Sequence, residues 1–249
     1  MNTSFYTQEE LQNLNFKSIG KNVLISKKAS IYQAQNISIK SNVRIDDFVI
    51  LSGHIEIGNY VHISTGSVLM CKEEGIYIED FASVSIHSKI LGSSDDFLGN
   101  GLVGPCVDEK YRRITSKPIV LGKYSLLGCN SIILPGGSLA EGVSVGALSL
   151  VSRPTKSWGV YFGIPARRIL ERKKEILKLE EEFLSQKSQR GGGQVKLIPP
   201  LAFAYFTYII LMTLSKEQAK AIRSSICLAS FMNSMTSPCY PSYISKRSA

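Results

Sequence analysis

Aliphatic residues recur at every sixth position through most of the chain up to Val151, small residues fill the corners between them, and the breaks in the beat fall at one recurring place. Together these observations predict an all-β fold, a left-handed parallel β-helix of about six coils flanked by a short N-terminal helix and a C-terminal amphipathic helix. A period of six matches neither the 3.6 of a helix nor the alternation of a half-exposed strand. It matches a stacked coil, in which each hexapeptide is a short parallel strand plus a turn and three of them close a triangle. One coil cannot bury its own aliphatic residues, so the core forms only when neighbours stack.

The clearest run is Leu121, Leu127, Ile133, Leu139, Val145 and Val151. Earlier coils keep the beat as Ile19, Ile25, Ile31, then Ile39, Ile45, Leu51, then Ile57, Ile63, Leu69, then Ile78, Val84, Ile90. The fourth position after each inward residue is often small, as a tight corner requires: Ala29, Ser67, Ala82, Ser88, Ser125, Ser131 and Ser149. Two extra residues precede Ile39, three precede Ile78, and a long excursion separates Ile90 from Leu121. Insertions thus stack at one edge of the prism, where loops are tolerated and function tends to sit. The coils are expected over 19–156, with a loop insertion at 92–118.

Residues 1–18 read as a helical cap. Thr7-Gln8-Glu9-Glu10 has capping-box form and its helix would cover the open first coil. Residues 157–184 read as an exit segment and helix: Gly163-Ile164-Pro165-Ala166 places a proline in the first turn of a helix whose apolar stripe is Ile169, Leu170, Ile176, Leu177, Phe183 and Leu184. Residues 185–249 are a Gly-rich linker and an apolar, basic tail. Its run 197–214 approaches the roughly 20 residues that cross a bilayer, contains Pro199 and Pro200, and is flanked by Lys196 and Lys216. A membrane-touching anchor and a read-through extension both remain open.

The net charge of +9 is concentrated in that tail, where Glu217 is the only acidic residue after Leu184. The nearly balanced body supplies no basic face, so no nucleic-acid partner is expected. The five cysteines, Cys71, Cys106, Cys129, Cys227 and Cys239, include no CxxC pair and no His at metal spacing, so they read as reduced thiols and no metal is expected. The N-terminus is acidic where a signal peptide needs a basic region and an apolar run, which points to a cytoplasmic location.

The hexapeptides, the segment Ser157-Trp158-Gly159-Val160-Tyr161-Phe162-Gly163-Ile164-Pro165-Ala166-Arg167 and the helix after it resemble the hexapeptide-repeat (isoleucine-patch) acetyltransferases. The likeness is greatest to the xenobiotic and galactoside acetyltransferase branch and to sugar O-acetyltransferases of surface-polysaccharide gene clusters. It covers roughly residues 4 to 184. It implies a homotrimer, acetyl-CoA as co-substrate in a groove between neighbouring prisms, and a histidine general base. The implied activity is direct acetyl transfer to a sugar hydroxyl, in O-antigen or capsule modification. Two alternatives stay open: N-acetylation of a nucleotide-linked amino sugar, and a non-catalytic solenoid used for assembly.

Acyl transfer from a thioester needs a base for the acceptor's proton, a donor for the developing oxyanion and a groove for the pantetheine arm. His62 precedes the inward Ile63, so strand alternation turns it outward. The resemblance places its segment at the acetyl-CoA groove, and His62 ranks first as base. Counted from the coil starts, its ladder is Leu24, Arg44, His62, Ser83, Leu126 and Ser144, leaving the small Ser83 where a ligand would lie. His87 falls at a corner one coil later and ranks second; His54 reads as a solvated corner residue. Each also reads as a surface imidazole without a role. In the excursion, Asp95 and Asp96 orient the imidazole, or bind sugar hydroxyls, or merely start a turn, and Tyr111, Arg112 and Arg113 are further candidates for the acceptor side. For CoA the resemblance directs attention to Gly128, Gly146, Ala147, Ser149, Arg153, Ala166, Arg167 and Arg168, where arginines pair with phosphates. Arg167 and Arg168 also read as solvated helix charges.

Overall fold

The computed structural model describes residues 4–189, and the apolar run 197–214, Cys227 and Cys239 lie outside them. The chain winds a left-handed three-faced parallel β-helix. Face one stacks Ser18–Ile19, Ile37–Ile39, Ile55–Ile57, Ile76–Ile78 and Ile119–Leu121. Face two stacks Leu24–Ile25, Arg44–Ile45, His62–Ile63, Ser83–Val84, Leu126–Leu127, Ser144–Val145 and Gly159–Phe162. Face three stacks Ser30–Tyr32, Ile50–Ser52, Val68–Met70, Lys89–Leu91, Ile132–Ile133 and Leu150–Val151. Registers follow the sequence beat, with Ile45 beside Ile63 and Ile63 beside Val84.

From Ile39 onward, every residue of the six-residue beat is buried; Leu51, Ile63, Leu69, Val84, Ile90, Leu121, Leu127, Ile133 and Leu139 are fully inaccessible. Burying each such side chain stabilises the fold by roughly 1.5–3 kcal/mol. Ile19 and Ile31 are only half-buried, because they belong to the coil at the open end. The helix α1 (Gln8–Gln12) covers that end, with Leu11 buried and Tyr6, Leu14 and Phe16 packed on the core. Its capping box is formed: the Glu10 amide donates to Thr7 Oγ1 at 3.2 Å and the Thr7 amide to Glu10 Oε2 at 2.7 Å.

The corners repeat as strictly as the strands. At three corners the small residue four positions on is a serine whose hydroxyl satisfies a corner carbonyl of the next coil: Ser67 donates to the Ser85 carbonyl at 3.0 Å, Ser88 to Gly128 at 2.8 Å and Ser131 to Gly146 at 2.9 Å, whereas the buried Ser125 hydroxyl at the same position has no partner among the described residues. Between faces two and three a column of left-handed backbone runs Phe48, Gly66, His87, Asn130 and Leu148. Between faces one and two another column carries Tyr60, Phe81, Tyr124 and Trp158. Their rings lie one above another, Tyr60 to Phe81 at 4.7 Å and Tyr124 to Trp158 at 6.1 Å between centroids.

Two expectations change at the C-terminal end. Gly159–Phe162 is not a bare exit but a seventh parallel rung of face two, paired with Ser144–Val145. The residues after Pro165 do not start a helix: Arg167–Glu171 turns back as an antiparallel strand on Gly159–Phe162, so Ile169 and Leu170 belong to a hairpin. The helix, α2 (Ile176–Gln189), begins nearly three turns later. It docks on the aromatic corner, with the Phe183 ring edge-on to Tyr60 and Phe81, and Glu180 accepting from Lys123 and from the Tyr124 hydroxyl. The excursion leaves face three through the short antiparallel pair Ser93–Ser94 and Thr115–Ser116. Among the described residues no helix is long and apolar enough to cross a membrane.

Candidate active site

Parallel stacking brings residues a coil apart in sequence into contact on the outer surface of face two. Arg44, His62, Ser83, Leu126 and Ser144 stand in register there, in the order read from the sequence. Each inward residue is followed by a second outward position, and that parallel column carries Asp46, Ser64, Ser85 and Gly128. The two columns meet in one network. His62 Nε2 lies 2.8 Å from Asp46 Oδ2, Arg44 Nε donates to Asp46 Oδ1 at 2.7 Å, and Ser64 Oγ is 3.5 Å from His62 Nδ1.

Asp46 is almost inaccessible, its side chain 4% exposed, whereas His62 keeps 16%. Burial raises the Asp46 carboxyl, but the hydrogen bonds from His62 and Arg44 outweigh it and hold the group below the usual carboxylate range. An ionised carboxylate only accepts, so its partner nitrogen, Nε2, carries the proton. The lone pair of neutral His62 then lies on Nδ1. A partly exposed imidazole whose tautomer is set by a buried carboxylate has the form of an oriented general base.

The other candidates separate into two groups. His87 sits at φ 57° in the corner column, and among the described residues no carboxylate pairs with it; its ring lies where a Cβ on Gly66 would be, 2.2 Å from Nδ1. His54 Nε2 is 3.3 Å from Glu56 on face one. Within one chain the carboxylate that meets the His62 imidazole is Asp46, not Asp95 or Asp96. Asp95 instead accepts from Arg112 at 2.8 Å and from the Gly104 amide at 3.1 Å, and Asp96 caps the amides of Leu98 and Asn100. These bonds organise the excursion into an arm that also exposes Tyr111 and, at its tip, Phe97 and Leu98.

Of the positions directed at CoA, Gly128 and Gly146 are glycines for a packing reason: a Cβ would fall 2.5 Å from the Val145 carbonyl and 2.4 Å from the Phe162 ring. Ser149 is buried and accepts from the Gly163 amide at 3.0 Å. Ala147 lies beside the exposed corner at Leu148. Arg153, Ala166, Arg167 and Arg168 do converge, lining a cleft of about 180 Å³ with Thr155 and Tyr161. Arg168 is held by Glu171 at 2.6 Å, while Arg153 and Arg167 are exposed. The cleft lies at the seventh rung, four rungs from His62, or roughly 19 Å at 4.8 Å per rung. Among the described residues no group of His, Cys, Asp and Glu side chains is arranged to hold a metal.

No family model matches the chain. It is 41% identical over 183 residues to the dTDP-4-amino-4,6-dideoxy-D-glucose acyltransferase of Escherichia coli, covering 72% of this chain and 95% of that enzyme. It belongs to the hexapeptide-repeat acyltransferases. Within that family it is also 47% identical to AntD, an N-acyltransferase from Bacillus cereus solved in complex with dTDP and 3-hydroxybutyryl-CoA, with a TM-score of 0.73 over 75% of this chain and 99% of that one. Further structures of AntD carry substitutions at one aspartate and at a serine ten positions before it, in complexes with coenzyme A and dTDP or dTDP-4-amino-4,6-dideoxyglucose. A putative lipopolysaccharide biosynthesis O-acetyl transferase of Escherichia coli is 28% identical over 150 residues, 58% of this chain and 74% of that one.

Proposed function

We propose that this acyltransferase moves an acyl group from an acyl-CoA to the amino group of a dTDP-linked 4-amino-4,6-dideoxy sugar. The observation that carries the proposal is the near-complete coverage, 95% and 99%, of two enzymes at 41% and 47% identity, one named for that acceptor and the other an N-acyltransferase bound to dTDP and an acyl-CoA. Of the acceptors weighed from the sequence, the nucleotide-linked amine is favoured over the sugar hydroxyl, whose relative is more distant and covers less of the chain.

An aminosugar reaches the site largely as an ammonium and must lose a proton before its nitrogen attacks the thioester carbonyl. His62 Nδ1 takes that proton. The C–N bond forms, the tetrahedral intermediate collapses with loss of the C–S bond, and the second nitrogen proton passes to the departing CoA thiolate. Arg153 and Arg167 hold CoA phosphates at the far end of face two, and the pantetheine arm runs along the rungs towards Ser83. A cleft of 180 Å³ is smaller than the 300–1,000 Å³ that encloses most small ligands. It therefore encloses only part of CoA, and a neighbouring prism in a homotrimer supplies the other wall.

Ser85 and Asp95 stand ten residues apart, the spacing of the two substituted positions in AntD. Ser85 is on the Asp46–Ser64 column, whereas Asp95 follows the far end of face three. Asp95 therefore meets an acceptor amine at this column only when it comes from the arm of another protomer. The test is steady-state turnover of dTDP-4-amino-4,6-dideoxyglucose with acetyl-CoA and 3-hydroxybutyryl-CoA, beside free glycosides, in wild type, His62→Ala, Ser85→Ala and Asp95→Asn. Amide product from the nucleotide sugar alone is expected. Ester product from the glycosides alone would refute the proposal, and restored turnover on mixing His62→Ala with Asp95→Asn protomers would support the shared site.

A further inference from the structure

We propose that Arg44 is a positioning residue for the transfer, acting through Asp46 on the tautomer of His62. The inference rests on the reading of His62 as general base and extends it two residues into the fold.

Arg44 occupies an outward position of face two, directly below His62 in register, yet its side chain is only 9% exposed. An outward arginine on a β-helix ordinarily reaches into water. Here the N-terminal segment closes over it. Phe5 bridges Ser26 in antiparallel sense, the Tyr6 amide donates to the Ile25 carbonyl at 2.9 Å and the Lys27 amide to the Ser4 carbonyl at 2.6 Å. The Phe5 ring is thereby laid 5.4 Å from the Arg44 guanidinium carbon. The buried guanidinium is directed at Asp46 Oδ1, and the other carboxylate oxygen is left for His62 Nε2.

Each link follows from the chemistry of the previous one. A carboxylate as buried as Asp46 stays ionised only if cationic or donor partners offset its lost hydration. Without Arg44 the buried charge is relieved by protonation of Asp46, by its rotation towards water, or by a proton on the imidazole itself, which also removes the lone pair at Nδ1. A protonated Asp46 presents an O–H to the imidazole, and Nε2 then accepts instead of donating. The His62 lone pair moves inward and Nδ1 points an N–H at the acceptor, the wrong polarity for a base. A purely structural ion pair would carry no such consequence for the ring nitrogens.

Two measurements on the full chain decide the proposal. In wild type, 15N shifts of neutral His62 are expected to mark Nε2 as protonated and Nδ1 as bare; the opposite assignment overturns it whatever the variants do. In Arg44→Gln, turnover of dTDP-4-amino-4,6-dideoxyglucose is expected to fall by about ten-fold or more in kcat with KM little changed, the scale of orienting partners elsewhere. His62 becomes a tautomer mixture, and Arg44→Lys recovers part of both. Unchanged kcat and tautomer in Arg44→Gln, with His62→Ala inactive, overturns the role of Arg44 and leaves the base in place. Full turnover in His62→Ala removes both.

Discussion

Replacing Asp46 by asparagine keeps the shape of the side chain and removes its charge, which separates the orienting role of the carboxylate from its packing. Its two oxygens receive Arg44 at 2.7 Å and His62 at 2.8 Å in a site with almost no solvent access. Breaking such a buried pair costs about 3–5 kcal/mol because the remaining charge is uncompensated. The amide oxygen still accepts from Arg44, so the lower end, about 3 kcal/mol, is expected. At about 2–4 °C per kcal/mol for a domain of this size, Tm falls by about 6–12 °C. With its oxygen on Arg44, the asparagine turns its NH2 towards His62 Nε2, which must then accept, and the base loses its lone pair at Nδ1. A well-placed base contributes about 10²–10⁴-fold, so kcat falls by at least about 100-fold. The folded pKa of Asp46 is depressed, so its contribution to stability is fully present above its unfolded value of about 3.9. It is lost as pH falls through the folded value. The Tm gap between wild type and variant therefore narrows as pH falls below about 4. Calorimetry across that range and thiol release on the nucleotide sugar measure both effects. A kcat within three-fold of wild type in a variant that shows the expected Tm loss would refute the tautomer reasoning.

Three further outcomes test the rest of the molecule. Leu127→Ala empties a fully buried rung position between Val84 and Val145 and is expected to cost about 2–5 kcal/mol by denaturant melting; a loss under 1 kcal/mol would contradict a close-packed prism. Gly66→Ala must place a Cβ at φ +68° where the His87 imidazole now lies, so a loss of about 1–2 kcal/mol from backbone strain is expected, with turnover retained because the His62 network is untouched. Burial pushes the Cys71 thiol up to about 11, and it donates to the His54 carbonyl at 3.0 Å, whereas Cys106 is exposed. Alkylation at pH 8 followed by peptide mapping should modify Cys106 well before Cys71.

The inward half of the fold was legible residue by residue because burial imposes a strict period: each of the eighteen beat positions lies on a face or corner where counting by six puts it. The ladder of His62 was legible for the same reason, since a parallel coil converts a fixed number of residues into one rung. Asp46 was not singled out, although it lies sixteen residues before His62 and directly follows the inward Ile45. Its role depends on a diagonal contact between two outward columns, which a one-column count does not reveal. Ile169 and Leu170 satisfy a helical stripe as well as a strand, so the sequence alone places the start of α2 too early. The free edge of the seventh rung decides between them by offering unpaired backbone groups to Arg167–Glu171. The glycines at 128 and 146 carry a packing requirement that the sequence does not show, since it depends on the Val145 carbonyl and the Phe162 ring of the next rungs.

The division between the two halves of the fold has a physical basis. Inward positions are constrained by volume alone, and any aliphatic side chain that fills the triangle will serve. Outward positions carry no such demand, so a polar residue placed there is free to answer to chemistry. Rungs are about 4.8 Å apart, which is the reach of one side chain, so residues a whole coil apart become hydrogen-bonding neighbours without a loop to hold them. Asp46 and His62 use that property, closing a gap of 2.8 Å between neighbouring rungs, while Arg44 reaches Asp46 at 2.7 Å from two residues away on the same rung; the strands that carry Arg44 and His62 are fixed by ladders on both sides. A histidine mounted in this way loses little conformational entropy on reaching the geometry the proposed role requires. The arm closes its own neck with a two-residue strand pair and meets the prism through the Lys72–Glu109 ion pair at 3.0 Å, so its sequence lies outside the three ladders. Exchange of residues 92–118 between family members should therefore change which sugar is acylated while leaving the tautomer of His62 unaltered.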